Sequence, residues 1–166
     1  MRIRLDCNGL RGRSGRDEVE RALLPLGVVS PNESLPRAVA FALNHPSLAV
    51  EFLRRHRVVG LGRRHLLEYG NRELQQLPKE LRDAFEWRHR LDVLLESGWG
   101  ELAQAVMETG IRTAGIKGAA MRSLYAHATD RDAGDIDIMV ENVDEAWRLA
   151  SWLRRRGYDW CEYEWP

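Results

Sequence analysis

Asp135 and Asp137, one residue apart in Asp-Ile-Asp-Ile-Met-Val, form the pair in this chain whose types and spacing most directly suggest chemistry. Side chains on a strand alternate faces with period two, so these two carboxylates point one way while Ile136 and Ile138 point into a core. Two hard oxygen donors on one face suit Mg2+ or Mn2+, which can activate an attacking hydroxyl and neutralise a triphosphate. With no basic residue between them the two acids repel each other, a cost that a bound cation offsets. The plainer reading is a surface charge pair. Upstream, Gly115-Ile-Lys-Gly offers Lys117 as a phosphate contact and Gly118 as the place where backbone approaches an anion, between a strand and the N-H groups of a helix end. Lys117 could equally be a solvated lysine of the first turn. Arg131, four residues before Asp135, is a second cation for a triphosphate, or else a loop residue paired with Asp132 or Asp135.

The elements that must hold these residues follow from periodicity. Residues 112 to 116 read as a strand, 118 to 125 as a helix, and 135 to 140 as the acid-bearing strand. Asn142 followed by Glu145 is an N-cap with an acid three residues on. It opens a helix with Ala146, Trp147, Ala150 and Leu153 on one side and Gly157 at its end. Residues 158 to 165 alternate as a third strand, giving β-α-β-α-β.

The preceding half reads as helical. Ser34 caps a helix with Pro36 in its first turn that ends near His45, and 47 to 55 form the next. A further helix spans 57 to 69 and is closed by Gly70. Pro78 opens a long helix that ends at Gly110, with Gly98 and Gly100 as points where it could break. His56 and His65 lack the i, i+4 spacing of helical metal ligands and read as surface or hydrogen-bonded core histidines. Trp87 and Trp99 read as packing anchors.

Residues 1 to 16 carry five arginines against Asp6, with glycines interleaved, and read as a flexible basic arm. A short helix is expected over 17 to 24. The expected organisation is a leader over 1–33, a helical region over 34–110 packed on the core, and a core over 111–166.

The apolar-Lys-Gly turn, Leu124-Tyr125, and Arg131 ahead of Asp-Ile-Asp-Ile-Met-Val together resemble the uncharacterised nucleotidyltransferase-like family of the DNA polymerase beta superfamily. The likeness extends upstream through Arg55-His56-Arg57-Val58-Val59-Gly60-Leu61 and Leu77-Pro78-Lys79-Glu80-Leu81, and downstream to Gly157-Tyr158, over about residues 35 to 160. It implies an α/β (α+β) fold, a small mixed sheet of the nucleotidyltransferase type with a helical N-terminal half. It also implies transfer of NMP from an NTP to a small-molecule or protein acceptor. Asp135 and Asp137 would be the catalytic metal-binding pair, Lys117, Gly118 and Arg131 the nucleotide-binding residues, and Mg2+ or Mn2+ the cofactor. Lys-Gly stands where Gly-Ser or Gly-Gly is common in the superfamily. The superfamily's third acid lies on a later strand, and the chain reaches Pro166 before one, so the core is expected to lack its C-terminal part. Glu162 and Glu164 are the substitutes at hand, unless they merely discourage edge pairing of an exposed terminal strand. The competing reading is a non-catalytic nucleotide-binding or antitoxin-like regulatory module with an incomplete metal site.

Composition narrows the partners. The 166 residues carry 25 basic and 25 acidic side chains, so no net field draws in nucleic acid or a membrane surface. No apolar run approaches the roughly 20 residues of a membrane span, and no signal-peptide core follows Met1. Cys7 and Cys161 are too isolated for a disulfide framework. A cytoplasmic protein with reduced thiols is expected, and a homo-oligomer or partner protein stays open.

Overall fold

The computed structural model describes residues 13 to 30 and 32 to 159. Among the described residues there are six α-helices, four short 3-10 segments and two strands, the strands late in the order: α1 (Arg13–Leu23), α2 (Leu35–Asn44), α3 (Pro46–Arg55), α4 (Val59–Glu68), α5 (Lys79–Thr109), β1 (Thr113–Ile116), β2 (Asp137–Val140) and α6 (Val143–Arg155). This is the α+β class. Among the described residues the sheet is one antiparallel pair, not the mixed sheet expected.

The chain forms two compact units. The first takes the residues up to Leu91 together with Arg122–Asp132, and the second takes Asp92–Met121 with the residues from Ala133 onward. In the first, α1 to α4 and the start of α5 surround Leu23, Leu26, Leu35, Leu53, Leu66, Leu81 and Phe85. These short amphipathic helices gain their stability from that shared burial. Pro36 and Pro46 sit in the first turns of α2 and α3, where the missing N-H costs nothing. Ser34 does stand at the N-cap of α2, but its side chain makes no capping bond; its own N-H donates to Asn32 Oδ1 at 2.9 Å. The first helix begins at Arg13, inside the stretch read as an arm, and residues 1 to 12 lie outside the described residues.

In the second unit, Leu102 and Ala105 of α5 join Ile111, Leu149 and Trp152, with Trp99, Ile136, Ile138 and Val140 packed against them. The long helix runs unbroken through Gly98 and Gly100. Gly98 is a packing position, since a Cβ there would meet Ile136 Cδ1 at 3.0 Å. Asn142 Oδ1 accepts the Glu145 N-H at 3.0 Å, the cap read from the sequence, and α6 ends before Gly157 at φ +92°. Tyr158 and Asp159 are not strand, and the rest of the expected third strand lies outside the described residues. Trp99 packs as expected, whereas Trp87 is exposed and carries the Arg54 guanidinium 5.9 Å from its ring centre.

Candidate active site

The hairpin register sets the site. Thr113 faces Val140, Ala114 faces Met139, Gly115 faces Ile138 and Ile116 faces Asp137. Directly opposed residues share a face, so Ala114, Ile116, Asp137 and Met139 line the open side, while Ile138 and Val140 pack on α5 and α6. Asp137 is therefore on the outward face, as alternation predicts. Asp135 differs from expectation: it precedes β2 in a bend and is exposed. The physical reason is in β1. Lys117, directly after Ile116, has φ +52° and turns that strand away, so the ladder has no rung beyond Ile116 and Asp137.

Gly118 and Asp135 are brought together. A Cβ on Gly118 would stand 3.3 Å from Asp135 Oδ1 and 3.6 Å from its carbonyl oxygen, so the bare glycine leaves room for the acid. The segment Gly118–Leu124 is 3-10, not the α-helix expected, and the Lys117 carbonyl accepts the Met121 N-H at 3.0 Å. Lys117 itself is exposed. For an L-residue the left-handed backbone costs about 1–2 kcal/mol, and such strain gathers where a side chain has to be held in place.

Arg131 belongs to the first unit. Its backbone is extended at φ −100°, ψ 110°, and its carbonyl accepts Arg122 Nε at 3.1 Å. On either side of it stand two buried acids, Asp130 and Asp132, whose partners lie far along the chain. Asp130, 2% exposed, takes a two-pronged contact from Arg64, with Nε to Oδ1 at 3.0 Å and Nη2 to Oδ2 at 2.7 Å. That bond raises the Arg64 pKa above its ordinary value. Asp132, 8% exposed, accepts the N-H groups of Val59 at 2.7 Å and Gly60 at 3.0 Å, with Arg88 Nε at 3.8 Å. One signal was present: Val59-Gly60 lies inside the upstream motif whose purpose the sequence did not disclose.

Two carboxylates are a chemically apt start for Mg2+ or Mn2+, both being hard oxygen donors, and among the described residues neither is ion-paired. No group of three or more His, Cys, Asp or Glu able to hold a metal stands together among the described residues, and Glu162 and Glu164 lie outside them. No helix among the described residues is long and apolar enough to cross a membrane.

A family model described as "Uncharacterised nucleotidyltransferase" matches residues 44–164, and the chain belongs to that family. Membership carries a general nucleotidyltransferase role. Neither a comparison with curated proteins nor one with solved structures returned a match.

Proposed function

We propose that the chain binds a metal-NTP complex through Asp135, Asp137, Lys117 and Gly118, and transfers NMP to a small-molecule or protein acceptor. The observation that carries this reading is the placement of Asp135 against Gly118, beside Lys117 in its left-handed conformation. A phosphate approaching Gly118 meets the Asp135 carboxylate. Two anions tolerate that proximity when a divalent cation lies between them, which makes one binding site of the acid pair and the Lys-Gly turn. Mg2+ or Mn2+, held by Asp135 and Asp137, would supply charge neutralisation and Lewis acidity at the α-phosphate. Lys117 would bind and orient the phosphates as a point charge.

Calorimetry with Mg-NTP tests the binding step. Asp135→Asn with Asp137→Asn keeps shape and removes two charges, and affinity should fall more than tenfold, equivalent to about 1.4 kcal/mol. Unchanged affinity would end this reading.

Turnover is a further step. Incubation with each α-labelled NTP, Mg2+ or Mn2+ and a cell extract as acceptor pool follows label into small molecules and protein. Loss of transfer in Glu162→Gln or Glu164→Gln would assign the third carboxylate. The second reading is a nucleotide-binding regulatory module without turnover. Tight Mg-NTP binding with no label transfer would select it.

A further inference from the structure

Resting on the nucleotide reading above, we propose that the outward face of the β1–β2 hairpin seats the acceptor, and that this acceptor is a small uncharged molecule whose hydroxyl is carried on an apolar frame.

Every residue involved belongs to the second unit. One face of the hairpin is given to the core. Ile138 and Val140 pack there, and at Gly115 a Cβ would fall 2.9 Å from both Trp99 Cη2 and Ala120 Cβ, so that face is filled. The other face carries Ile116 opposite Asp137 and, one rung on, Ala114 opposite Met139. Ala114, Ile116 and Met139 are all exposed, Met139 at 58%. Opposed side chains stand about 5 Å apart and the next rung lies about 7 Å along, so this apolar row adjoins the Asp137 carboxylate. A molecule with one oxygen at a cation on Asp137 lies against Ile116, and its remainder reaches Met139, an unbranched thioether that moulds to rings and chains alike.

The reaction decides which ligand lies there. In the reading above the polyphosphate sits at Gly118, past the end of β1, where Asp135 approaches it. Displacement at the α-phosphorus is in line: the acceptor oxygen forms its bond opposite the bond that breaks, pyrophosphate leaves with that electron pair, and the hydroxyl proton passes to water. With pyrophosphate at the turn, the acceptor enters from the strand side, over Ala114 and Met139. The rung of Ala114 and Met139 carries no charge, and past the last rung Arg112 donates to Glu141, so those two charges cancel. A charged acceptor would lose water there with nothing to pair it. Size selects a small molecule. Two strands roughly 5 Å apart and four residues long make a face about 10 Å in length, far less than the ~800 Å2 that each partner buries in a stable protein pair.

The test uses the full chain with Mg2+ and the α,β-methylene analogues of ATP, GTP, CTP and UTP, which bind without turnover. The acceptor probes are para-cresol, its anionic and cationic relatives para-hydroxybenzoate and tyramine, and glycerol. Binding is read from isotope-labelled methionine methyl signals, with Met139→Leu assigning the Met139 methyl. With nucleotide bound, para-cresol should shift that signal and bind about tenfold more tightly than the other three probes. Exchanging Mg2+ for Mn2+ should broaden the ring protons beside the phenolic oxygen more than the para-cresol methyl. Ile116→Gln should weaken para-cresol about tenfold, and Met139→Lys should turn the preference toward para-hydroxybenzoate, a gain that lost stability does not produce. Either variant decides the matter if the other fails to fold. Equal binding of all four probes, an unmoved Met139 methyl, the para-cresol methyl nearest Mn2+, or unchanged selectivity in both variants overturns the proposal. If the nucleotide analogues bind and para-cresol does not, the nucleotide reading stands and the acceptor face falls. If no analogue binds while para-cresol still shifts the Met139 signal, the nucleotide reading falls and takes the acceptor role with it.

Discussion

Lys117 combines a backbone that favours glycine with a side chain that the proposed chemistry needs. Replacing it by glycine removes about 1–2 kcal/mol of left-handed strain and adds back roughly 0.5–1 kcal/mol of chain entropy. Lys117→Gly should therefore leave the melting temperature unchanged or raise it, while Mg-NTP affinity falls. Lys117→Ala keeps the strain and should lose affinity without the gain in stability. A drop in melting temperature for Lys117→Gly, with affinity retained, would make Lys117 structural. His65 makes a second prediction. Fully buried, it has Nδ1 3.2 Å from the Leu26 carbonyl and, among the described residues, no hydrogen-bond partner for Nε2. Burial, and then the neighbouring Arg64 charge, lower its pKa from the ordinary value. The unfolded chain thus takes up this proton first. The stability contributed by neutral buried His65 is complete above about pH 6.5 and is lost as pH falls below that value toward the folded-state pKa. Urea unfolding at pH 7.5 and 5.5 should show a smaller loss in His65→Phe than in the unaltered chain, and equal losses would show that His65 does not titrate with folding.

The helices were legible in the sequence because each needs only its own residues: apolar spacing, a proline in the first turn, a glycine past the end. Thus α2, α3, α4 and α6 fall within two residues of their expected bounds. The outward face of Asp137 was legible for the same reason, since alternation is local. What the sequence did not disclose depends on partners far along the chain. Alternation alone extends β2 back to Asp135, and only the register with β1, cut off by the turn at Lys117, shows where pairing stops. The 3-10 geometry of Gly118–Leu124 was likewise hidden, its spacing being compatible with an α-helix. Asp130 and Asp132 looked like ordinary loop acids because Arg64 and the N-terminus of α4 are more than sixty residues away. The Arg64–Asp130 pair carries its own prediction. Asp130 is buried and Arg64 part-buried, so removing the acid strands a cation that solvent partly reaches, at a cost of about 1–3 kcal/mol, whereas replacing both by apolar groups can be nearly neutral. Asp130→Ala should be destabilised in urea unfolding, and Arg64→Met with Asp130→Leu should recover most of the loss. A mild single variant would mean that solvent at Arg64 replaces the lost partner.

With equal numbers of acidic and basic residues, the molecule as a whole has no long-range field with which to gather a polyanion, so phosphate binding has to come from local placement. That places a demand on how the chain is cut for experiments. The strands and α6 bury Ile136, Ile138, Val140, Leu149 and Trp152 against Leu102 and Ala105, which belong to α5. A fragment of residues 111 to 166 retains the acid pair and the Lys-Gly turn but loses that half of its core. Its two-stranded hairpin is also marginal alone in water. The carboxylates of Asp130 and Asp132 would lose Arg64 and the α4 N-H groups as well, leaving Arg122–Asp132 without its anchors. The fragment should show no cooperative thermal transition by circular dichroism, little dispersion in its amide spectrum and no Mg-NTP binding. Beginning the fragment at residue 92 restores Leu102 and Ala105 and should recover helical signal. A 111–166 fragment that melts cooperatively and binds Mg-NTP like the full chain would show that α5 is not needed to hold the site.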